Sequence, residues 1–376
     1  MGTLSPSRLL RPGIAALLVV VASAAHAGFH DGGVAACGGC HVTHESVDGT
    51  DVVAGEGQLR ADSATDTCLL CHDAGPASVL GSSVFDPSRE LGAGDFVFLY
   101  EDDLDDAVTG RRAAVLAGYA AGHDLVAPGR GLAADPRHPT APGGSFPSDR
   151  MGCTSCHDPH GNGSHRMLNG AGPVQDGHFT FSYPAPGAEG IATDDFGAVE
   201  GPSSHTAYRE GWSLWCANCH GFDVHGPGSD FPHPVDVPLG VDVAKRYSDY
   251  GGDASPATGD PAIAYLPEVP FVDPSTTTSS TAGPGAGSRL ECVTCHRAHA
   301  SSAPFAGRWD FRVPTYGDDG VRSGSYPLPN PHADPAQRQL CVKCHDTGGH
   351  DRGKSCHQCH GGGRGGPHVD PPEYTE

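Results

Sequence analysis

Apolar positions along this 376-residue chain form one long run, from Ile14 to Ala25. Arg8 and Arg11 precede it, and Ala25-His26-Ala27 closes it as small-x-small. That is the basic, apolar, cleavable order of a secretory leader, so residues 1–27 are expected to be a signal peptide and the rest exported. The run is about a dozen residues long, short of the roughly 20 that cross a bilayer, and no membrane span is expected. Beyond it the pattern breaks into short pieces. Asp95 to Tyr100 and His178 to Tyr183, rich in aromatic residues, predict short strands. Arg111 to Ala121 predicts a helix, and further short helices are expected after several of the cysteine pairs described below. Glu101 to Asp106 reads as a solvated acidic loop, and Thr276 to Ser288 as a Ser/Thr/Gly-rich surface loop. No repeat beyond the cysteine motifs and no internal domain boundary is visible, so residues 28–376 read as a single elongated domain.

Composition makes this pattern hard to fold. The chain has 54 Gly and 33 Pro, and only 7% of its residues are aromatic. So many turn formers bury too little apolar surface to offset the conformational entropy lost on folding. Either much of the chain is unstructured, or something other than side chains supplies the core. The cysteines decide between these. All 14 fall into Cys-x-x-Cys pairs, each followed at once by His. The motifs are Cys37-Cys40-His41, Cys68-Cys71-His72, Cys153-Cys156-His157, Cys216-Cys219-His220, Cys292-Cys295-His296, Cys341-Cys344-His345 and Cys356-Cys359-His360.

This is the c-type haem attachment signature. Two thiols add across the vinyl groups of one haem, and the adjacent imidazole becomes the proximal ligand of its iron. A disulfide framework does not require a His after every pair. Zinc ribbons use two pairs per metal and would leave one of seven over. Redox Cys-x-x-Cys motifs come singly on a thioredoxin-like fold. Seven covalent haems c are therefore expected, one for about 50 residues of the exported chain. The fold class follows: an irregular, loop-rich multihaem cytochrome c with short helices, few short strands and a haem-nucleated core.

The charge of −22 becomes −24 once Arg8 and Arg11 leave with the leader, and haem propionates add to it. Nucleic acid and anionic membrane are thereby disfavoured as partners, and cationic partners, metal ions or mineral surfaces suit better.

Axial ligand identity is a main lever on haem potential. Of three methionines Met1 lies in the leader, so Met151 and Met167 could serve two irons at most. Of 23 histidines, seven are proximal and His26 lies in the leader, which leaves 15 for seven sixth positions. Most or all sites should then be bis-histidine, with eight histidines to spare. Three motifs continue as Cys-x-x-Cys-His-x-x-His, pairing His41 with His44, His157 with His160 and His296 with His299. Residues three apart share one side of a helical turn. They cannot easily grip one iron from both faces of a porphyrin, so the second His should reach a neighbouring haem. Further candidates are His225 and His233 after the fourth motif, His123 at the end of the helix-like run, and His30 before the first motif. His233 is stiffened by Pro232 and Pro234.

These residues resemble a known family. Phe29-His30-Asp31-Gly32-Gly33-Val34-Ala35 leading into Cys37, Cys40, His41 and His44 is similar to the start of the OmcS-type outer-surface cytochromes, six-haem proteins that form extracellular nanowires. The likeness recurs at Gly122-His123-Asp124-Leu125-Val126, and from Ala141 to Gly144 and on through Cys153 to Gly161. It continues from Trp215 through His225, His233 and Pro234, from Cys292 to Ala300, and from Gln337 to His345. The resemblance implies six stacked bis-histidine haems with alternating parallel and T-shaped contacts. It implies self-association, with the His at the position of His44 ligating a haem of the neighbouring subunit. The distal set it implies is His30, His44, His123, His160, His225, His233 and His299. The chain departs from the pattern after 28–348. Residues 349–376 add a seventh motif, which starts 15 residues after the sixth. Its sixth ligand is open among His332, His350, His357 and His368, and Gly361 to Gly366 reads as a flexible linker.

The expected function is extracellular electron transfer through seven bis-histidine haems, in a filament that reaches other redox proteins or acceptors such as metal oxides. The alternatives are a monomeric periplasmic or outer-surface shuttle and a multihaem reductase. A reductase needs an iron with an open position, often marked by Lys in place of the motif His. All seven motifs end in His, so an electron carrier without catalytic residues is expected.

Overall fold

The computed structural model of the chain describes His30 and residues 37–42, 46–47, 50–51, 58–73, 78–87, 92–101, 104, 117–191, 200–227, 229, 231–251, 259–313, 315, 326, 328, 331 and 340–345. The leader, His44, residues 111–116 of the expected helix, most of the acidic run after Glu101, His332, and the tail with the seventh motif, His350, His357 and His368 lie outside the described residues.

A Cys-x-x-Cys-His peptide presents both thiols on one side only if its backbone turns. All six described motifs do so. Helices were expected after the motifs; instead each motif lies within or beside its own helical turn. Hydrogen bonding explains this, because the motif His N–H closes the turn on the first Cys carbonyl. The bonds run from His41 to Cys37 at 2.9 Å, His157 to Cys153 at 2.9 Å, His296 to Cys292 at 2.9 Å and His345 to Cys341 at 3.0 Å.

The described motifs take two forms. The second and fourth close two nine-residue helices, α1 (Ala64–His72) and α3 (Trp212–His220). The Ser63 hydroxyl caps α1 by accepting from the Asp66 N–H. The third and fifth motifs are single turns, α2 (Cys153–Cys156) and α5 (Cys292–Cys295), and the first carries a tight turn at Cys37–Gly39. The sixth lies on a tight turn at Leu340–Lys343. Between α3 and α5 runs α4 (Gly240–Asp249), which buries Ala244, Tyr247 and Ser248.

The first, third and fifth motifs form a structural repeat, which corrects the expectation of no repeat beyond the motifs. In each, the motif His bridges antiparallel to a later residue: His41 to Leu59, His157 to Leu168 and His296 to Gly307. The second motif Cys accepts from the next residue on, Cys40 from Arg60, Cys156 from Asn169 and Cys295 from Arg308. Left-handed residues turn the chain back at Gln58, at Arg166 and Met167, and at Phe305 and Ala306. The sequence hides this unit because the first return is much longer than the other two.

The strands make four small antiparallel pairs: β1 (Ser46–Val47) with β2 (Thr50–Asp51), β3 (Gly172–Val174) with β4 (Phe179–Phe181), β5 (Gly187–Glu189) with β6 (Ala207–Glu210), and β7 (Val237–Pro238) with β8 (Arg289–Leu290). Strand β4 lies within the predicted His178 to Tyr183. The strand predicted for Asp95 to Tyr100 is instead a 3-10 helix over Phe96–Tyr100. The Asp95 carboxylate caps it by accepting from the Val97 N–H at 2.8 Å, and Phe96, Val97 and Phe98 are buried in succession rather than alternately. The described end of the helix predicted for Arg111 to Ala121 is a tight turn, Gly118–Ala120. A Cβ on Gly118 would come within 2.2 Å of the Leu99 carbonyl oxygen, so the backbones touch there.

Three small apolar clusters replace one core. Leu69, Phe96, Phe98 and Leu125 pack beside α1. Phe181, Tyr208, Trp212 and Trp215 pack against Cys156, Cys216 and Cys219. Tyr247, Tyr265, Phe271 and Trp309 pack against Cys295, Cys341 and Cys344. The loop from Thr276 to Ser288 lies on the surface as expected, tied down by Ser288, whose hydroxyl donates to Asp273 at 2.6 Å. Among the described residues no helix is long and apolar enough to cross a membrane.

Candidate haem sites

Six motif histidines are described, and each faces one of the distal candidates. The ring centres of His41 and His160 lie 6.4 Å apart, and those of His30 and His72 6.2 Å, both pairs within 5° of parallel. His157 faces His299 at 6.5 Å and 66°, and His123 faces His220 at 5.8 Å and 40°. His225 faces His296 at 5.9 Å and 20°, and His233 faces His345 at 5.9 Å and 74°. An iron held between two imidazoles by bonds of about 2 Å sets their ring centres roughly 6.3 Å apart. All six spans lie near that value. Each partner is thus a His rather than Met151 or Met167. His160 lies opposite the first motif and His299 opposite the third, so in these two repeats the trailing His turns away from its own motif, towards the odd motif before it.

In six of these rings a backbone carbonyl fixes which nitrogen is presented. Nδ1 lies 2.8 Å from the Arg166 carbonyl oxygen in His157 and 2.8 Å from that of Phe305 in His296. The corresponding acceptors are Pro142 for His220, Ala298 for His123, Phe231 for His225 and Pro234 for His233, at 2.6–3.1 Å. A carbonyl can only accept, so Nδ1 carries the proton and Nε2 keeps a free lone pair. In the His123–His220 pair the two Nε2 atoms stand 3.5 Å apart. Two bare lone pairs at that distance repel unless a cation lies between them. The span is a little under the about 4 Å that two metal bonds require. Such carbonyl partners are what metal-ligating histidines use to hold tautomer and ring plane.

Burial favours the neutral form, the one that binds metal, in His30, His123, His157, His220, His233, His296 and His299. It holds His220 and His296 down to about 4, assisted in each by neighbouring charges, and His299 down to about 3, with His157 adding to the effect. Burial also pushes the Cys156 and Cys344 thiols up to about 11 and Cys295 up to about 12. Thiols held protonated are poor thiolate ligands for zinc and poor partners for disulfide exchange. All 12 described cysteines are free of disulfides.

The motifs follow one another in space as in sequence. Cys40 lies within electrostatic range of Cys68 and Cys71. The Cys68 and Cys153 thiols touch, as do those of Cys216 and Cys292. Cys219 feels Cys156, and Cys295 feels Cys344. Helix α1 therefore sets the second motif directly on the third, and α3 sets the fourth on the fifth. The intervening steps are looser, so tight and loose contacts alternate along the series.

The residues present fit haem c. Each described site offers two thiols of a helical turn and two imidazoles whose ring centres lie 5.8–6.5 Å apart, and the four remaining positions of an iron would be the porphyrin's. Among the described residues no group of three or more His, Cys, Asp or Glu side chains forms a metal cage of its own. Sequence reasoning missed the carbonyl acceptors and the buried cations Arg308, Arg312 and Lys343. One signal was available: Arg166 and Phe305 both stand nine residues after their motif His.

No protein-family profile matches the chain. In sequence it is similar to the C-type cytochrome OmcS of Geobacter sulfurreducens, 29% identical across 88% of this chain and 96% of that protein. In structure it is similar to the Outer Membrane Cytochrome S filament of the same organism, with a TM-score of 0.68 and 26% identity, covering 84% of this chain and 99% of that one. A cryo-electron microscopy structure of OmcS nanowires from that organism gives a TM-score of 0.67 at 27% identity, with the same coverage. The chain thus resembles the OmcS-type cytochromes in both sequence and fold, as its motifs imply.

Proposed function

We propose that this chain is an exported electron-transfer cytochrome whose seven c-type haems form one series, continued into neighbouring copies as an extracellular filament. When bound, the haems supply one-electron ferric–ferrous exchange. The chain supplies the rest: thiols that tether, imidazoles aimed by carbonyls, and turns that set one motif against the next. The observation that carries this reading is the six described motif histidines, each opposed by a second His across the span of one iron. Two axial histidines leave no position for a substrate, which favours a carrier over a reductase.

In this reading residues 1–27 are removed and residues 28–376 form one domain, in which 349–376 carries the seventh haem on Cys356, Cys359 and His360. The distal ligands are His30, His123, His160, His225, His233 and His299. His44 crosses to a neighbouring copy. Two trailing histidines of the odd motifs face the odd motif before their own, and His44 opens that series with none before it in its chain. The fifth motif is faced by His225, which leaves the seventh motif of another copy as the site in line. Partners are further copies, other redox proteins and oxidising surfaces outside the cell.

The test combines intact-mass measurement of the exported protein with cryo-electron microscopy of material sheared from cells. Seven haems per chain and a filament with haem density continuous across subunits are expected. Discrete particles with every iron ligated internally would make the protein a shuttle, and a five-coordinate haem with substrate turnover would make it a reductase.

A further inference from the structure

We propose that Arg308 is a positioning residue that raises the reduction potential of the fifth site, by holding a permanent positive charge, unpaired with any carboxylate, against the Cys292–His296 motif. The proposal rests on the haem reading above and deepens it.

Arg308 is 1% exposed, among the most deeply buried side chains described. Its Nε–H donates to the carbonyl of Val293, inside the fifth motif, at 2.6 Å. Its backbone N–H donates to the carbonyl of Cys295 in the same motif at 2.8 Å. The remaining guanidinium bonds go to the carbonyls of Pro267 at 3.1 Å and Gly92 at 3.2 Å and to the Tyr208 hydroxyl at 3.1 Å. The guanidinium also lies 5.9 Å from the centre of the Tyr208 ring. Every acceptor is neutral. Among the described residues no carboxylate lies within ion-pair distance of it. Glu268 is the acid that senses its charge, and burial pushes that carboxyl up towards its neutral form.

An arginine remains protonated in proteins, so this charge is fixed. Carbonyl dipoles and a phenol solvate it without cancelling it, and the bond to the Val293 carbonyl holds it against the fifth motif. The step concerned is the gain of one electron at the fifth site, ferric to ferrous iron, with no proton moved at Arg308. A fixed cation disfavours the more positive ferric state, so the potential rises. In a protein interior a nearby unit charge changes such an equilibrium by roughly tenfold. A role in packing alone would leave the potential untouched, and this separates the two explanations.

Ring angles allow the fifth site to be followed. Near-parallel imidazoles give a rhombic low-spin electron paramagnetic resonance signal, and near-perpendicular ones a strongly anisotropic signal. The fifth pair, at 20°, belongs with the first two, whereas the third and sixth, at 66° and 74°, form the other class. The experiment is a redox titration of the intact holoprotein followed by this spectrum, for the parent, Arg308→Met and Arg308→Lys. In the Met variant one rhombic component should fall about tenfold in its reduction equilibrium, or 59 mV for one electron. The Lys variant should keep most of the parent value. The proposal is overturned if the Met variant titrates as the parent does, or if Lys shifts the component as far as Met. Should neither variant accumulate, the parent alone decides: one rhombic signal must be reduced at a higher potential than the others, and rhombic signals that titrate together would overturn it. A parent without low-spin bis-histidine signals would instead sink the haem reading itself.

Discussion

An imidazole whose Nδ1 is committed to a carbonyl has one nitrogen left, and in the His123–His220 pair the two such nitrogens stand 3.5 Å apart. His165 shows the contrast. It sits edge-on to Trp212, with ring centres 6.2 Å apart, rather than opposite a second imidazole. Burial, with the charges of Arg166 and His157 adding to it, holds His165 down to about 4. Between there and its ordinary value near 6.5 the unfolded chain binds a proton that the folded chain refuses. The His165 contribution is therefore complete above about pH 6.5 and is lost as pH falls towards 4, by up to about 3 kcal/mol. Thermal midpoints of the holoprotein recorded from pH 7 to pH 4 should fall less steeply in His165→Gln than in the parent. Superimposable pH profiles would mean that His165 has no part in acid lability.

Elements here are short, and their ends touch where a longer protein would interpose side chains. Gly122 is an instance, joined to Ala300 by an isolated β-bridge. A Cβ on Gly122 would lie 2.1 Å from the His299 carbonyl oxygen. That single contact couples two sites, because His123 faces the fourth motif and His299 the third, and the His123 N–H donates to the His299 carbonyl at 3.0 Å. Gly122→Ala should force the two segments apart and destabilise the holoprotein by about 3 kcal/mol or more, read by denaturant unfolding. Perturbed low-spin signals from the third and fourth sites should accompany the loss. An alanine variant as stable as the parent would mean that the close approach carries no structural weight. The same brevity explains the failed strand at Asp95 to Tyr100, where a side-chain cap and three consecutive buried residues outweigh β-propensity.

At the scale of the whole molecule, α1 and α3 repeat one arrangement, each placing its motif against the next single-turn motif. A chain built this way has no single core to defend and grows by adding units at either end. In sequence His44 belongs to the first of the seven motifs, and Cys356, Cys359 and His360 form the last. His44→Ala is expected to keep seven haems per chain by mass, to show one five-coordinate iron in its optical spectrum, and to give particles in place of filaments under the electron microscope. Mutant filaments with every haem low-spin would show that no ligand crosses between copies. In the proposed filament the net negative charge would add a repulsion, so interfaces between copies would have to be made by specific contacts rather than by net charge.

Seven Cys-x-x-Cys-His motifs were legible in the sequence because covalent attachment demands fixed residues at fixed spacing, and that chemistry survives without knowledge of the fold. The loop-rich class was legible for a related reason: 54 Gly and 33 Pro exclude long regular elements. Three distal candidates, His44, His160 and His299, were legible because a trailing His three residues on cannot easily turn back to the iron of its own motif, and the others from their settings and the family resemblance. Which motif each one faces was not. His30 and His72 are 42 residues apart and His123 and His220 are 97, and nothing local links such partners. The repeat of the first, third and fifth motifs was hidden by its unequal returns, and Arg308 by being one arginine among many. Only tertiary structure brings that guanidinium onto Val293 and the Nδ1 atoms of His123 and His220 onto the carbonyls of Ala298 and Pro142, because these contacts depend on where the chain returns rather than on what stands beside each residue in the sequence.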